Sequence, residues 1–344
     1  MPDAQDPVLG PATRLLWRGP DEIHLELGAN GVVVEGLPEP VLGHIAGRHT
    51  TGPQPRLDHT ARLALTALTE GGYLWPSVPA ESATDPRLHA PLPRLAGDLR
   101  SLAVRHGQRA AELLAARRYS CVEIHGSSRV AVHLAAVLAA AGVGRVRCTA
   151  TGSVHLSHTA PGGLAPEDEG AVRVAAADRA VRRAAPEVDA TPLAEGERPD
   201  LTVIAEDSPV PPERRDSLHA AGAPYLCLML SLDRGVVGPL VLPGLTSCVR
   251  CADLVRRDRD PAWTALAVQL ATPPRYGPAS DVAVAAVVAG VAALQALAFL
   301  DGEDPATIDG TLEISPPDWR LRRRSWPVHP ECNCTEHGPD PTRG

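Results

Sequence analysis

The segment YSCVEIHGSSRVAVHLAAVLAAAGVGRVRC, residues 119–148, carries the pattern of a strand, a helix and a second strand. Strand-like residues 121–124 lead through a turn into an alanine-rich helix at 130–141. Gly142 and Gly144 end the helix, and a second strand begins at 146–148. Because parallel strands need a crossover connection, this order predicts a βαβ unit and hence an α/β fold.

The same alternation continues towards the C-terminus. Strands are predicted at 201–205 and 225–230 with a helix at 213–221 between them, which indicates a mostly parallel sheet with helices on its faces. Residues 282–300 are apolar enough to cross a membrane, but they are mostly Ala and Val and an acidic segment, 301–304, follows them. We therefore favour a buried helix over a membrane span.

A different pattern precedes this α/β region. Residues 23–27 alternate strictly between apolar and polar, and a turn leads into a second strand at 32–34. Helical stretches at 38–47 and 57–70 and a short strand at 71–75 follow. This order of elements is typical of a small winged-helix-like α+β module, and a generic N-terminal extension is the alternative.

A proline-rich connector at 76–93 follows the module, so we place the domain boundary near residue 90 and expect domains at 1–90 and 91–344. A chain of 344 residues with 44% hydrophobic residues can bury two cores. The N-terminus has no apolar run, so we expect a cytoplasmic protein without a secretory signal.

Composition also excludes some functions. The formal net charge of -8 disfavours a nucleic-acid partner, because binding to phosphate backbones depends on clustered cations. Every basic residue in the Lys+Arg count is an arginine, which excludes a Schiff-base lysine and a phosphate-gripping P-loop lysine.

Four of the seven cysteines form two close pairs, Cys248 with Cys251 and Cys332 with Cys334. Four thiolates can enclose a tetrahedral zinc ion in a closed, structural site. The C-x-C spacing is tight, so His329 or His337 could replace one sulfur. Unliganded thiols are the alternative, and the other three cysteines are given no role.

The turn after the first strand lies on a G-x-G-x-x-G frame in which Gly126 is kept, Ser128 stands at the second glycine and Ala131 at the third. Four histidines lie near this turn, and we expect them to be hydrogen-bonded or solvated side chains rather than a metal or proton-transfer site. They are His125, His133, His155 and His158.

Several segments resemble ThiF-type adenylating enzymes of the ubiquitin-activating superfamily. Residues 139–146 look like the helix end and second strand of that family, whereas 238–251 and 258–263 are similar to the ThiF-like proteins that partner YcaO cyclodehydratases in thiazole/oxazole-modified peptide pathways. Residues 329–334 resemble the C-terminal ending of that group. The resemblance implies a Rossmann-like ThiF fold, a homodimer, and an N-terminal module that binds a peptide as an added β-strand.

In such enzymes a glycine loop, an acidic ribose ligand, cations and a magnesium-binding aspartate hold ATP. The resemblance assigns nucleotide binding to Gly126, Ser128 and Arg173, and magnesium binding to Asp207, for which a helix-flanking carboxylate is the alternative. Ser128 adds a Cβ at the point where the backbone should come close to the phosphates. Residues 150–151 include no acidic side chain that could accept a hydrogen bond from the ribose.

These departures favour a degraded nucleotide site. We therefore interpret the chain as a protein that binds and presents a peptide or protein substrate to a modifying enzyme of the cyclodehydratase type. Two alternatives stay open. One is an active adenylyltransferase that uses ATP and magnesium to activate a C-terminal carboxylate, and the other is a dimeric structural protein.

Overall fold

The computed structural model of this protein describes residues 7–19, 22–45, 59–76, 93–126, 128–206, 210, 212–231, 233–270 and 281–335. The chain divides into two compact units, Met1–Ala116 and Arg117–Gly344. The first unit thus extends past residue 90, where the sequence placed the boundary. The assignment of 1–90 and 91–344 as domains stays a prediction, and most of the proline-rich connector lies outside the described residues.

The first unit contains a three-stranded antiparallel sheet and a separate pair of strands. Its elements in chain order are β1 (Pro7–Leu9), β2 (Thr13–Trp17), β3 (Glu22–Leu27), β4 (Asn30–Glu35), α1 (Glu39–Ile45), α2 (His59–Glu70), β5 (Leu74–Pro76), α3 (Ala96–His106) and α4 (Ala110–Ala116). The sheet order is β2-β3-β4, and β1 pairs with β5.

The alternation in β3 explains how this unit forms its core. Ile23, Leu25 and Leu27 are buried on one face of the sheet, and the first two pack with Leu42 of α1 and Leu65 of α2. The predicted hairpin joins β3 to β4 through a tight turn. The predicted order of strand, strand, helix, helix and strand is present as β3, β4, α1, α2 and β5, whereas β1 and β2 were not predicted.

The second unit is built on a seven-stranded sheet. Its elements in chain order are β6 (Cys121–His125), α5 (Arg129–Ala140), β7 (Arg145–Thr149), α6 (Arg173–Ala184), β8 (Leu201–Glu206), α7 (Pro212–Ala220), β9 (Tyr225–Ser231), β10 (Arg234–Val241), α8 (Val249–Arg259), α9 (Trp263–Leu270), α10 (Val282–Leu300), β11 (Gly310–Ile314) and β12 (Arg322–Ser325).

The sheet order is β12-β11-β10-β9-β8-β6-β7. Strands β7, β6, β8 and β9 run parallel, and β10, β11 and β12 extend the sheet with antiparallel pairings. The predicted βαβ unit is β6, α5 and β7. The carboxyl ends of the parallel strands meet at one edge, where ligands bind in open α/β sheets.

Two separate clusters of buried side chains use alternate residues of the central strands. Val203 of β8 and Leu226 of β9 pack in the larger cluster with α5, α6 and α10. Ile204 and Cys227, on the opposite face, pack with the four paired cysteines. The paired cysteines therefore lie on the face of the sheet away from α5.

Helix α10 is long and apolar enough, by length and composition alone, to cross a membrane. Asp281 caps its start by accepting hydrogen bonds from the backbone N–H groups of Ala283 and Val284. Its buried residues belong to the larger core cluster and it packs against α5 and β10. One face of α10 is therefore packed in the core, whereas Val287 and Leu294 are exposed.

Candidate functional site

The four paired cysteines meet in one buried cluster. Cys248 caps the start of α8, Cys251 lies in the first turn, and Cys332 and Cys334 come from a turn near the C-terminus. The Sγ atoms are 4.0 Å apart for Cys248–Cys251, 3.7 Å for Cys248–Cys332 and 3.4 Å for Cys251–Cys334. All four Sγ atoms lie within 4.8 Å of one another.

These distances fit a tetrahedral metal site. A Zn–S bond of about 2.3 Å separates the sulfurs of a ZnS₄ tetrahedron by about 3.8 Å, whereas a disulfide bond is about 2.05 Å long. The hydrogen bond from the Cys248 thiol lowers the pKa of Cys251, while burial above all raises the pKa of Cys334. Four buried thiolates would repel one another, and a divalent cation offsets that repulsion. The cluster can therefore bind a metal ion.

His329 lies beside the cluster but is engaged elsewhere. Its Nδ1 accepts a hydrogen bond from the Glu331 backbone N–H at 3.1 Å, and its Nε2 lies 2.8 Å from an Asp258 oxygen. The alternative in which His329 replaces a sulfur is therefore not the arrangement seen here. His337 lies outside the described residues.

Gly126 makes the turn from β6 towards α5 with a φ of +147°. A Cβ at this position would lie 1.9 Å from the carbonyl oxygen of Ala205 on β8. Only glycine fits such a close approach. The turn directs the N-terminus of α5, the positive end of the helix dipole, to the carboxyl edge of the sheet.

Ser128 occupies the N-cap position of α5 and is only 3% exposed. Within the part of the chain that the structure describes, its Oγ is buried and has no hydrogen-bond partner. An unsatisfied buried hydroxyl costs about 1–3 kcal/mol, which an anion bound at the helix N-terminus would recover. The serine is thus compatible with an anion site, whereas the sequence alone suggested that it weakens one.

Arg173 begins α6 beside the same edge. Its Nη2 donates to the Ser153 carbonyl oxygen at 3.0 Å and lies 3.3 Å from Nε2 of His158, while its buried Nε has no partner among the described residues. Burial lowers the pKa of Arg173, and the charge of Glu206 at the end of β8 partly opposes that shift. A phosphate oxygen would accept a hydrogen bond from Nε of Arg173 and would offset the positive charge of its guanidinium group.

His158 is held neutral beside this arginine. Burial and then the Arg173 charge lower the pKa of His158 to about 4, and its Nδ1 accepts a hydrogen bond from the His155 backbone N–H at 2.9 Å. His158 therefore adds no second positive charge at neutral pH.

The acidic groups at this edge differ from those of an ordinary ThiF-type site. Ala150, directly after β7, is buried and Thr151 is exposed, so the positions expected to bind ribose carry no carboxylate. Asp207, assigned to magnesium, lies outside the described residues, and its role stays a prediction. Glu206 is the carboxylate that ends β8.

A groove of about 780 Å³ opens on the antiparallel side of the sheet. Met229 and Val236 line it from β9 and β10, and Ala252, Arg256 and Trp263 line it from α8 and α9. Because Met229 pairs in register with Glu206, the groove begins one strand away from the end of β8. The sequence predicted neither the groove nor its lining, although the motif containing Trp263 was singled out.

The four histidines of the β6–α5 region do not gather round a metal. Among the described residues, the four paired cysteines are the group of His, Cys, Asp and Glu side chains close enough to share an ion. His125 instead contacts Glu123 and Thr149. This network depends on strand register, so no local sequence pattern indicates it.

No protein-family model and no curated protein matches this sequence. Solved structures do share its fold. The E. coli MccB structure with AMPCPP and selenomethionine MccA has 17% identity and a TM-score of 0.70, covering 97% of this chain and 100% of that one. E. coli MccB with ATP has 17% identity, a TM-score of 0.66, and covers 96% and 100%.

A third similar structure is the microcin C7 biosynthetic enzyme MccB with N-formylated MccA, at 17% identity and a TM-score of 0.68 over 96% of this chain and 99% of that one. Identity this low demonstrates the fold alone. The ThiF-like fold predicted from the sequence is thereby confirmed, whereas the partnership with a YcaO enzyme stays a prediction.

Proposed function

We propose that this chain is an ATP-dependent adenylyltransferase that activates the C-terminal carboxylate of a peptide or protein. The observation that carries the proposal is the turn at Gly126, which brings the N-terminus of α5 and the unpaired Ser128 hydroxyl to the sheet edge. The proposal is also supported by a fold shared along nearly the whole chain with MccB structures that contain ATP or AMPCPP. It replaces the degraded site favoured from the sequence.

The phosphates of ATP would bind at this helix N-terminus. Backbone N–H groups of the first turn of α5 and the Ser128 hydroxyl would donate hydrogen bonds, and the helix dipole favours the negative charge. Arg173 would donate from its unpaired Nε. As an arginine it keeps the positive charge that the family's lysine supplies, with a planar set of donors.

The reaction joins the carboxylate to the α-phosphorus. A carboxylate oxygen attacks phosphorus, the bond to the pyrophosphate oxygen breaks, and pyrophosphate leaves with the electron pair. Negative charge develops on the phosphoryl oxygens, where Arg173 and the α5 N-terminus lower its energy. Magnesium, which Asp207 would bind, offsets the charge of the pyrophosphate.

The C-terminal residues of the substrate would lie in the groove. The groove begins one strand away from Glu206. A peptide extended along the groove would therefore end near the carboxyl edge of the sheet, where we place the nucleotide. The Arg256 guanidinium lies 5.2 Å from the Trp263 ring centroid and 4.5 Å from that of Trp326, which keeps this part of the groove rigid.

The N-terminal module would bind a more distant part of the same peptide. The strands β2 and β4 are the outer strands of its sheet, and a peptide can add to such a strand through main-chain hydrogen bonds. This explains how one enzyme could select a substrate without many side-chain contacts at the reacting end.

The cysteine cluster would hold zinc in a structural role. Four sulfur ligands leave no open position for water, so the ion would stabilise the fold without taking part in the reaction. It would join the start of α8, which lines the groove, to the C-terminal turn. His219 lies 2.8 Å from the Cys334 carbonyl oxygen and reinforces that attachment.

A second candidate function is a presenting protein that holds a peptide for a separate modifying enzyme of the cyclodehydratase type. The absence of a carboxylate at Ala150 and Thr151 favours it, because the ribose would lose its acidic hydrogen-bond acceptor. The two candidates differ in whether the chain binds nucleotide.

Isothermal titration of the full chain with Mg-AMPCPP separates them. The wild type should bind, and Arg173→Ala should weaken binding by about 10–100-fold, the value of a charge-assisted hydrogen bond. Arg182→Ala, at an exposed position near the other end of α6, is the matched control and should bind normally. A wild type that takes up no nucleotide would leave the presenting role as the better proposal.

A further inference from the structure

Three polar side chains form a continuous hydrogen-bonded chain across β6 and β7. The Thr149 Oγ1 lies 2.5 Å from Nδ1 of His125, and Nε2 of His125 lies 2.9 Å from a carboxylate oxygen of Glu123. His125 and Thr149 are directly opposite each other in the parallel register. The three side chains point to the same face because Glu123 and His125 are two residues apart on one strand.

The proton positions in this chain follow from its chemistry. A carboxylate only accepts hydrogen bonds, so the imidazole proton resides on Nε2 and points at Glu123. The hydrogen bond from His125 lowers the pKa of Glu123, which keeps that carboxyl ionised. The Nδ1 lone pair is then free to accept the Thr149 proton, and the other contact of that hydroxyl, the Ile124 carbonyl oxygen, is longer at 3.5 Å.

The arrangement is that of a nucleophile, a general base and a carboxylate that orients the base. The His125 side chain is 20% exposed and that of Glu123 is 18% exposed, so the chain is sheltered yet open to a ligand. Thr149 is the last residue of β7, and His125 directly precedes Gly126. The hydroxyl therefore lies at the edge of the sheet where ligands are expected.

We infer that Thr149 is a nucleophile for acyl transfer, with His125 as its general base and Glu123 as the residue that positions the base. The substrate class is an acyl group bearing a good leaving group, such as an ester or an acyl adenylate. This activity goes beyond the proposed function, because it needs no ATP at the site.

The step balances without any further reactant. Thr149 Oγ1 attacks the acyl carbonyl carbon and forms an ester bond, the bond from that carbon to the leaving group breaks, and the leaving group departs with the electron pair. The hydroxyl proton passes to Nδ1 of His125, and the resulting imidazolium is stabilised by Glu123. The imidazolium gives that proton to the leaving group and becomes neutral again. Water, deprotonated by the neutral imidazole, then attacks the ester carbonyl carbon, the acid departs, and Thr149 Oγ1 regains its proton from the imidazolium.

p-Nitrophenyl acetate is a suitable probe, since its acyl group is small and its leaving group is coloured. The full chain, incubated without nucleotide and quenched in acid during turnover before the ester is hydrolysed, should release p-nitrophenolate and carry an acetyl group on the peptide that contains Thr149, located by tandem mass spectrometry. Thr149→Val, which keeps the shape of the side chain, should lose that acetyl group, and Thr149→Ser should restore it.

His125→Asn should slow acetylation of Thr149 by about 100-fold, the usual contribution of a general base. Glu123→Gln should lower the maximal rate and leave the half-saturating concentration of the ester unchanged, which a merely structural role would not do. Thr66→Val removes an exposed hydroxyl from α2 and is the matched control, with an unchanged rate.

No acetyl group on Thr149 in the wild type, or equal labelling of His125→Asn and the wild type, would overturn the inference. Because the probe reaction omits ATP, either result leaves the proposed adenylyltransferase activity unaffected. Conversely, a chain that binds no nucleotide could still acetylate Thr149.

Discussion

Gly126 is the residue whose backbone conformation the proposed nucleotide site depends on most. Its φ of +147° lies where side chains are rarely found, and the space for a Cβ is filled by the Ala205 carbonyl group. A larger residue would have to push β8 away from the turn. Residue 126 must therefore lack a Cβ for two reasons. β8 packs against the turn at this point, and the proposed phosphate would approach the same backbone.

Gly126→Ala should destabilise the protein by about 3 kcal/mol or more, from the combined steric clash and backbone strain. Gly290→Ala is the matched control, because a Cβ at that position in α10 meets no atom within 4 Å. It should raise stability by about 0.5–1 kcal/mol. Thermal unfolding of both variants checks the pair, and an equal effect of the two substitutions would contradict the geometry of the turn.

His158 gives the same edge a pH dependence. Its pKa in the folded protein is about 4, mainly through burial, whereas an unfolded histidine has a pKa near 6.5. Between these values the unfolded chain binds a proton that the folded chain does not. Stability from this group is therefore complete above a pH of about 6.5 and is lost as the pH falls towards about 4.

His158→Asn should reduce the loss of stability between pH about 7 and about 5, because asparagine can still accept the His155 backbone hydrogen bond without titrating. Urea unfolding midpoints at the two pH values measure this loss. His155→Asn is the control and should keep most of the wild-type pH dependence. An unchanged pH dependence in His158→Asn would show that this imidazole is as easily protonated in the folded state as in the unfolded one.

At the scale of elements, the start of α8 and the C-terminal turn bring four sulfurs together, where we propose that a metal ion binds. Their thiol-to-thiol distances suit a tetrahedral ion, and all four side chains are buried. The groove residues Ala252 and Arg256 lie on the same helix. Loss of the ion should therefore affect both the stability of the second unit and the shape of the groove.

We expect the purified protein to contain one zinc ion per chain, measured by inductively coupled plasma mass spectrometry. Cys251→Ser should lose the zinc and cost at least about 2 kcal/mol, a fall in Tm of roughly 4–8 °C in a unit of this size. Cys121→Ser, at a half-buried position on β6, should keep the metal. Full stability after removal of zinc by a chelator would contradict a structural role.

The elements differ in how far the sequence predicts them, and the difference has physical causes. The βαβ unit of β6, α5 and β7 was predicted because each element has its own hydrophobic period. β10 was missed because Gly238 and Pro239 interrupt it, at the point where its register against β9 shifts. β12 was missed because it is an exposed run of arginines and serine, without an apolar face.

The candidate site shows the same division. The pairing of the cysteines follows from their short spacing, so the four cysteines that the structure brings together were singled out from the sequence, whereas metal binding by them stays a prediction. The contacts of Thr149 and the groove beside Trp263 depend on which strands are neighbours, and no local pattern encodes that. Contacts between residues that are close along the chain are therefore easier to predict from the sequence than contacts between residues that neighbouring strands bring together.

At the scale of the whole molecule, two compact units have separate proposed tasks. The first unit would bind a peptide through the edge of its small sheet, and the second would activate a carboxylate at the carboxyl edge of the large one. Each unit has its own buried core, and the two cores share no residues.

Pyrophosphate exchange tests the central proposal most directly. The full chain is incubated with Mg-ATP, labelled pyrophosphate and a pool of short peptides with free C-terminal carboxylates, and a second pool with amidated C-termini is the control. Reversible adenylation predicts that label enters ATP with the carboxylate pool and stays out with the amidated one, and that Arg173→Ala suppresses the exchange. Label that never enters ATP with carboxylate peptides, from a correctly folded protein, would contradict the assignment of this chain as an adenylyltransferase.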